Sequence, residues 1–94
     1  MSKLTKEARG RECQVRIPGV CNFNPETTVL AHYRLAGTCG TAIKPDDIQA
    51  AWACSACHDE VDRRTRLIDA NDARLMHAEG VMRTQEILRK EGKL

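Results

Sequence analysis

The first half of the chain alternates short apolar runs with turn residues, a pattern typical of short strands. Residues 13–23 predict two extended pieces around a turn at Pro18-Gly19. Residues 27–34 are rich in β-branched and aromatic side chains, so they predict a strand. Residues 36–47 hold two glycines and a proline and predict a loop, whereas the apolar residues 48–53 predict a strand or a helical turn. We therefore expect a small sheet here.

The second half of the chain predicts helices. Ser55 can cap a first helix, in which Val61 and Ile68 share one face. A second helix is predicted over residues 72–91, and Gly92 can end it. Further residues are expected to serve this second helix: Asn71 as its cap, and Leu75, Ala78 and Met82 as its buried stripe. Strands followed by helices indicate a small α+β domain.

Length and composition limit the size of the core. The chain has 94 residues with one Phe, one Tyr and one Trp, enough for a single domain spanning residues 1–94. Such a domain usually needs disulfides or a metal for stability. Five cysteines are present, an odd number, and the first ten residues lack the apolar segment of a secretory signal. No apolar run reaches the roughly 18 residues of a membrane span, so we expect a cytoplasmic protein whose reduced thiols bind a metal.

The formal net charge is only +2, but the basic residues are concentrated near the start of the chain. Residues 1–11 predict a basic arm that could be flexible, and Arg9 and Arg11 are its candidate contacts to an anionic partner such as nucleic acid. A solvated tail without a partner would have the same composition. Charge alone leaves both interpretations open.

Cys54 and Cys57 form a C-x-x-C pair, whose spacing lets two thiolates reach one zinc ion. A redox role is the alternative, but redox C-x-x-C motifs are expected near a βαβ pattern, which this chain does not show. The pair therefore predicts half of a zinc site. The other half must come from the three remaining cysteines, Cys13, Cys21 and Cys39.

Cys13 and Cys21 are the first candidates for this second half. A regular two-residue hairpin at Pro18-Gly19 would pair Cys21 with Arg16, so the turn must be irregular for both thiols to reach one ion. Cys39, in a glycine-rich loop, is the substitute ligand, or else an idle thiol.

The histidines suggest a second type of site. His58 could be a zinc ligand itself or a cap at the start of the helix, but it follows Cys57 directly and therefore projects in another direction, and Asp62 lies one helical turn further on. A histidine and a carboxylate at positions i and i+4 share a helix face and can bind a second cation. His32 lies in a predicted strand, where a lone histidine is usually structural, and His77 is expected on a helix surface. Three arginines could hold phosphate through bidentate hydrogen bonds or form a solvated face: Arg63, Arg64 and Arg66.

In combination, the order Cys13…Cys21…His32…Cys54-x-x-Cys57-His58 resembles the HNH, or His-Me finger, nucleases. The stretches ARGRECQVRIPGVCN, LAHYRL and ACSACHDEVDRRT are similar to the small prophage-encoded nucleases of the YbcO family. The resemblance implies a zinc-stabilised ββα-metal (HNH-like) fold with an additional C-terminal helix. It also implies a structural zinc ion bound by four cysteines: Cys13, Cys21, Cys54 and Cys57.

The same resemblance implies a chemical activity. In an endonuclease that hydrolyses DNA phosphodiester bonds, His32 would activate water and His58 would bind a catalytic divalent ion, Mg²⁺ or another. Many relatives have an acidic metal ligand directly before the catalytic histidine, where this chain has Ala31, and Asp62 is the candidate replacement. Gln49 stands at about the place of the motif's asparagine.

DNA is the partner that this interpretation requires, with its backbone held by arginines and no base readout. The rival class is a non-catalytic zinc module that binds DNA or a phage or host recombination or replication protein. The cysteine pattern would be the same in a nuclease and in such a module, so only a test of catalytic activity distinguishes the two classes. The sequence leaves the oligomeric state and the preferred DNA structure open.

Overall fold

The computed structural model describes residues 3–35, 37, 40 and 46–93. Most of the predicted loop at 36–47, including Cys39, therefore lies outside the described residues. Within them the fold is a small α+β arrangement, as predicted, with a two-stranded sheet and three helices, the first of which was not predicted. The elements in chain order are α1 (Lys3–Glu7), a 3₁₀ turn (Pro25–Thr27), β1 (Val29–His32), β2 (Ala50–Ala53), α2 (Ser55–Val61) and α3 (Ala70–Lys90).

β1 and β2 pair antiparallel, with His32 opposite Ala50 and Val29 opposite Ala53. Both strands are shorter than the segments that predicted them, and the choice between strand and helical turn at 48–53 is resolved in favour of a strand. Pairing continues one residue past β1, because the Tyr33 amide donates to the Gln49 carbonyl at 2.9 Å. All four residues of β2 are buried, so this strand lies within the core.

Residues 13–23 contain a turn but no strand, which corrects the expectation of two extended pieces. The Ile17 carbonyl accepts hydrogen bonds from the amides of both Val20 and Cys21, at 3.1 and 2.9 Å. Gly19 has φ +75° and Arg16 has φ +54°, both in the left-handed region. The turn is thus irregular, as the pairing of Cys13 with Cys21 requires.

α3 buries a different face from the one predicted. The expected stripe is wrong, since Leu75 and Met82 are 59% and 61% exposed. At 100° per residue the buried face lies on the opposite side of the helix, and it consists mainly of small or polar residues. Its members are Ala73, His77, Gly80, Val81, Thr84 and Leu88.

Close approach explains this choice of face. A Cβ added at Gly80 would lie 2.9 Å from Val15 Cγ2 and 3.1 Å from Val15 Cα. The Thr84 hydroxyl accepts a hydrogen bond from the Trp52 amide at 3.0 Å, which ties α3 directly to β2. Small side chains let the helix lie closer to Val15 and to β2 than a Leu and Met stripe would allow.

The helix ends are partly as predicted. Gly92 ends α3 with φ +74°, and the Lys93 amide donates to the Leu88 carbonyl, which completes a Schellman motif. At the other end the cap is Asp69, whose side chain accepts from the Asn71 amide, so the prediction of Asn71 as cap is wrong.

α2 is shorter than expected, which changes its cap and its apolar face. Its N-cap is Cys54, whose sulfur accepts from the Cys57 amide, rather than Ser55. The helix ends at Val61, so Ile68 lies beyond it, although both residues pack against the same core cluster.

The described part of the basic arm includes a short helix and packs against the core. Residues 3–7 form α1, and Ala8 is buried beside Trp52 and Leu88 in a second small apolar cluster. Among the described helices, none is both long and apolar enough to cross a membrane.

Candidate metal centre and catalytic cleft

Four cysteine sulfurs converge at one end of the sheet. The Sγ atoms of Cys13, Cys21, Cys54 and Cys57 all lie within 4.8 Å of one another, and Cys21 and Cys54 are 3.8 Å apart. Tetrahedral zinc with Zn–S bonds of about 2.3 Å requires sulfurs about 3.8 Å apart. The four residues therefore fit a metal ion such as zinc.

Local structure brings the thiols together. The irregular turn at Ile17–Cys21 folds Cys21 back towards Cys13, and the start of α2 supplies Cys54 and Cys57. Backbone amides point at two of the sulfurs: Cys54 accepts from the Cys57 amide at 3.4 Å and Cys13 from the Arg16 amide at 3.5 Å. Such N–H groups stabilise negative charge on sulfur, which is the form that binds metal.

The thiols differ in acidity. The hydrogen bond from Cys57 lowers the pKa of Cys13, and the same contact, with burial, raises the pKa of Cys57. Burial also raises the pKa of Cys21 to about 11. Metal binding at this cluster would therefore release protons from Cys21 and Cys57, whose raised pKa otherwise keeps them protonated at neutral pH.

His32, at the other end of β1, is held by a carboxylate that the sequence analysis missed. Its Nε2 donates to Asp47 Oδ1 at 2.7 Å, and the Asp47 side chain also accepts from the Thr5 hydroxyl at 3.4 Å. A carboxylate on one ring nitrogen fixes the tautomer and orientation of a histidine. Nothing in the local sequence marks Asp47, which lies fifteen residues further along the chain.

His58 and Asp62 lie together on α2, as their i, i+4 spacing predicts. His58 Nε2 is 3.2 Å from Asp62 Oδ2, and both side chains are partly exposed. Two adjacent ligands of an octahedral ion with bonds of about 2.1 Å lie about 3.0 Å apart, so the pair fits a divalent cation. Within the described ranges, the four cysteines are the one cluster of three or more such groups, so here the protein offers two ligands.

A cleft of about 410 Å³ lies between His32 of β1 and Asp62 at the end of α2. His32 and Asp62 both line it, and α3 contributes Asn71, Arg74 and His77 to its wall. The structure thus brings His32 and Asp62, thirty residues apart in sequence, to one concave surface. The predicted zinc ligands lie elsewhere, because none of the four cysteines lines this cleft.

His77 is buried at 7% exposure, so its prediction as a surface residue is wrong. Its Nε2 donates at 2.9 Å to the carbonyl of Ala31, the residue directly before His32 in the chain. Burial lowers the pKa of His77 and outweighs the hydrogen bond to the Ala31 carbonyl, which acts in the opposite direction, so the neutral ring is favoured. Gln49 was predicted to replace the motif's asparagine. Its side-chain amide donates at 2.7 Å to the carbonyl of Tyr33, the residue directly after His32.

The predicted DNA-binding arginines have different surroundings. Arg63 donates to the Glu60 carboxylate and to the Ile68 carbonyl, which leaves it with a structural role in the connection between α2 and α3. Arg11 forms ion pairs with Glu7 and Glu91 at 2.9 and 2.5 Å. The other three predicted contacts are exposed: Arg9, Arg64 and Arg66.

Comparisons with known proteins agree with one another. A family model described as "Putative nuclease YbcO" matches residues 2–93. Two relatives are 65% identical over 92 residues, which is 98% of this chain and 96% of theirs: "Putative nuclease YbcO" of Escherichia coli (strain K12) and "Putative nuclease ybcO" of Enterobacteria phage 82. A solved structure, "Structure of a putative bacteriophage protein from Escherichia coli str. K-12 substr. MG1655", is 58% identical with a TM-score of 0.82 and covers 95% of this chain and 99% of that one. The chain therefore belongs to the YbcO family.

Proposed function

We propose that this chain is a metal-dependent DNA endonuclease of the HNH type. The observation that carries the proposal is the shared cleft, in which His32, oriented by Asp47, faces the same space as Asp62, the partner of His58. The names of the two relatives support nucleic acid as the class of substrate.

His32 is the general base in this proposal. Since its Nε2 donates to Asp47, Nδ1 is the ring atom that accepts a proton from the attacking water. Asp47 stabilises the imidazolium ion that results, as an orienting carboxylate does in other histidine-dependent hydrolases. Both side chains are partly buried, which limits competition from bulk water.

His58 and Asp62 are the residues that would hold a catalytic divalent ion, Mg²⁺ or another. When bound, the ion would polarise the phosphate and neutralise charge on the leaving oxygen. Asp62 then takes the place of the acidic ligand that Ala31 cannot supply. The cysteine cluster has a separate role, since its geometry suits structural zinc, which would stabilise a fold with a thin core.

Nicking of supercoiled plasmid tests the proposal, with Mg²⁺, Mn²⁺ and Ni²⁺ titrated separately and chelator as the blank. We expect His32→Ala to keep its fold and zinc while losing about 10²–10⁴-fold in rate. His58→Ala and Asp62→Ala should instead raise the metal concentration needed for half-maximal rate. Lys90→Ala, at the exposed end of α3, is the matched control and should cut like the wild type.

Two results would contradict the proposal. If His32→Ala and the wild type nick at the same chelator-sensitive rate, His32 is a structural strand residue. If the wild type cuts no form of DNA with any of these ions, the cysteine cluster favours the rival function, a non-catalytic metal module that binds DNA or a recombination or replication protein.

A further inference from the structure

Arg74, which has no part in the function proposed above, lines the same cleft as His32 and Asp62. It projects from α3, and its guanidinium carbon lies 4.7 Å from the centroid of the Tyr33 ring. Tyr33 follows His32 directly in the chain. The arginine is therefore held over the residue next to the candidate general base.

The cation–π contact with Tyr33 uses none of the N–H donors of Arg74. A guanidinium that lies over an aromatic ring uses its face for that contact, so its N–H donors still point outwards in its own plane. Among residues 3–35, 37, 40 and 46–93, no carboxylate lies within ion-pair distance of Arg74. Arg63, which lines the cleft too, differs because its donors are engaged by Glu60 and Ile68.

The part of α3 that carries Arg74 is fixed against β1, although the Arg74 side chain itself is exposed. His77, one helical turn further along α3, binds the Ala31 carbonyl and contacts the edge of the Tyr33 ring at a centroid distance of 5.1 Å. α3 therefore contacts β1 and its extension on both sides of His32. The contact with the Tyr33 ring restricts this side chain in advance, so less side-chain entropy is lost when it binds a ligand.

We propose that Arg74 binds a phosphodiester oxygen of the substrate in this cleft and places the phosphate beside His32, with Tyr33 as the platform that holds the guanidinium. A planar guanidinium suits phosphate because it can donate two parallel hydrogen bonds to it. This inference rests on the proposed function, in that it needs DNA to enter the cleft, but it concerns binding and is testable without cleavage.

The test uses the full chain and a short fluorescent DNA duplex, in buffer passed over a chelating resin so that no cleavage occurs. We expect Arg74→Ala to weaken binding about tenfold and to lower the slope of log affinity against log salt by about one. Arg74→Lys should restore the slope and only part of the affinity, because an ammonium group lacks the bidentate edge. Arg89→Ala, an exposed arginine near the far end of α3 that pairs with Glu86, should change neither.

The platform is tested by Tyr33→Phe, which keeps the ring, against Tyr33→Leu, which removes it. Tyr33→Phe should bind DNA like the wild type, and Tyr33→Leu should resemble Arg74→Ala, with circular dichroism confirming the fold. An unchanged salt slope in folded Arg74→Ala would overturn the inference while leaving nuclease activity intact. The opposite result is also possible: the wild type cuts no DNA, yet Arg74→Ala lowers the salt slope. That result would overturn the proposed nuclease activity and support the contact between Arg74 and phosphate.

Discussion

At the scale of single residues, Glu60 shows how one buried carboxylate organises a connection. It is fully buried, and its oxygens accept from the Thr65 hydroxyl at 2.6 Å and from the amides of Leu67 and Ile68 at 2.8 and 3.0 Å. Arg63 also donates to it and has φ +62°, in the left-handed region. The chain between α2 and α3 is therefore folded around this one side chain.

The Glu60 site predicts a pH dependence of stability. The hydrogen bond from Thr65 lowers the pKa of Glu60 below its ordinary value of 4.5, and the two backbone amides act in the same direction. A lowered folded-state pKa adds stability that is fully present above pH 4.5 and is lost as the pH falls through the folded value. Glu60→Gln should therefore be less stable than the wild type at pH 7, and the difference should shrink below about pH 4.5.

Urea unfolding of Glu60→Gln and wild type at a series of pH values measures this difference. Glu26→Gln is the control, because Glu26 is exposed, and it should follow the wild type throughout. A deficit for Glu60→Gln that is the same at pH 3 as at pH 7 would show that the charge of Glu60 is irrelevant.

The cysteine cluster makes a second prediction at this scale. Cys54→Ser or Cys57→Ser should lower both the zinc content and the melting temperature sharply, because each removes one of four converging thiols. Cys39→Ser, the control, should be far milder. Metal analysis of folded, reduced wild type should find about one zinc per chain, and finding none would refute a structural zinc site.

At the scale of elements, α3 combines a small and polar buried face with apolar residues on its outer side. Leu75 and Met82 face solvent, whereas Leu88 is buried at 2% exposure. The stability of α3 thus depends on its fit against β2 more than on the number of its large side chains.

Substitutions on the two faces of α3 should therefore differ in how much they change the free energy of unfolding. Leu75→Gln and Met82→Gln should each change the free energy of unfolding by less than about 0.5 kcal/mol. Leu88→Ala should cost about 2–5 kcal/mol, because it leaves a cavity beside Trp52 and Ala8. Chemical denaturation measures all three, and a cost for Leu75→Gln as large as for Leu88→Ala would contradict the observed orientation of the helix.

Gly80 tests the close approach itself. In an exposed helix, Gly→Ala stabilises by about 1 kcal/mol. Here the new methyl group would lie 2.9 Å from Val15 Cγ2, so we expect Gly80→Ala to destabilise by about 1–3 kcal/mol. The double variant Gly80→Ala with Val15→Ala should cost less than the sum of the two single variants, since it removes the tightest contact. Strict additivity in the double-mutant cycle would rule out this contact as the cause.

At the scale of the whole molecule, the two ends of the chain are joined. Arg11 pairs with Glu7 and Glu91, and its guanidinium carbon lies 4.7 Å from the centre of the Trp52 ring. Lys93 completes the network through Glu7 at 2.7 Å. The basic residues of the arm therefore differ in role: Arg11 forms ion pairs within the fold, whereas Lys6 and Arg9 are exposed.

This division predicts different effects on DNA binding. A Lys6→Gln, Arg9→Gln double variant should lower the slope of log affinity against log salt by up to about two, because each exposed cation can displace one counterion from DNA. Arg11→Gln should lower the melting temperature and leave the slope nearly unchanged. Fluorescence anisotropy over a salt series measures the slopes. A double variant with the wild-type slope would show that this arm contacts no DNA.

Features set by local chemistry were predictable from the sequence alone. The turn at Pro18-Gly19, the end of α3 at Gly92 and the pairing of His58 with Asp62 each depend on residues a few positions apart. The four cysteines were also identified in advance, since the C-x-x-C spacing and the family resemblance together select them. Their roles as zinc ligands, like the catalytic roles of His32 and His58, stay predictions.

Tertiary structure decided what depends on contacts between distant segments. Asp47 meets His32 across fifteen residues and His77 meets Ala31 across forty-six, and neither contact leaves a periodic pattern in the sequence. The same holds for α3, whose buried face is set by how closely Gly80 and its small neighbours let the helix approach Val15 and β2. Hydrophobic periodicity reports which side of an isolated helix is more apolar, whereas burial depends on which side fits its neighbour.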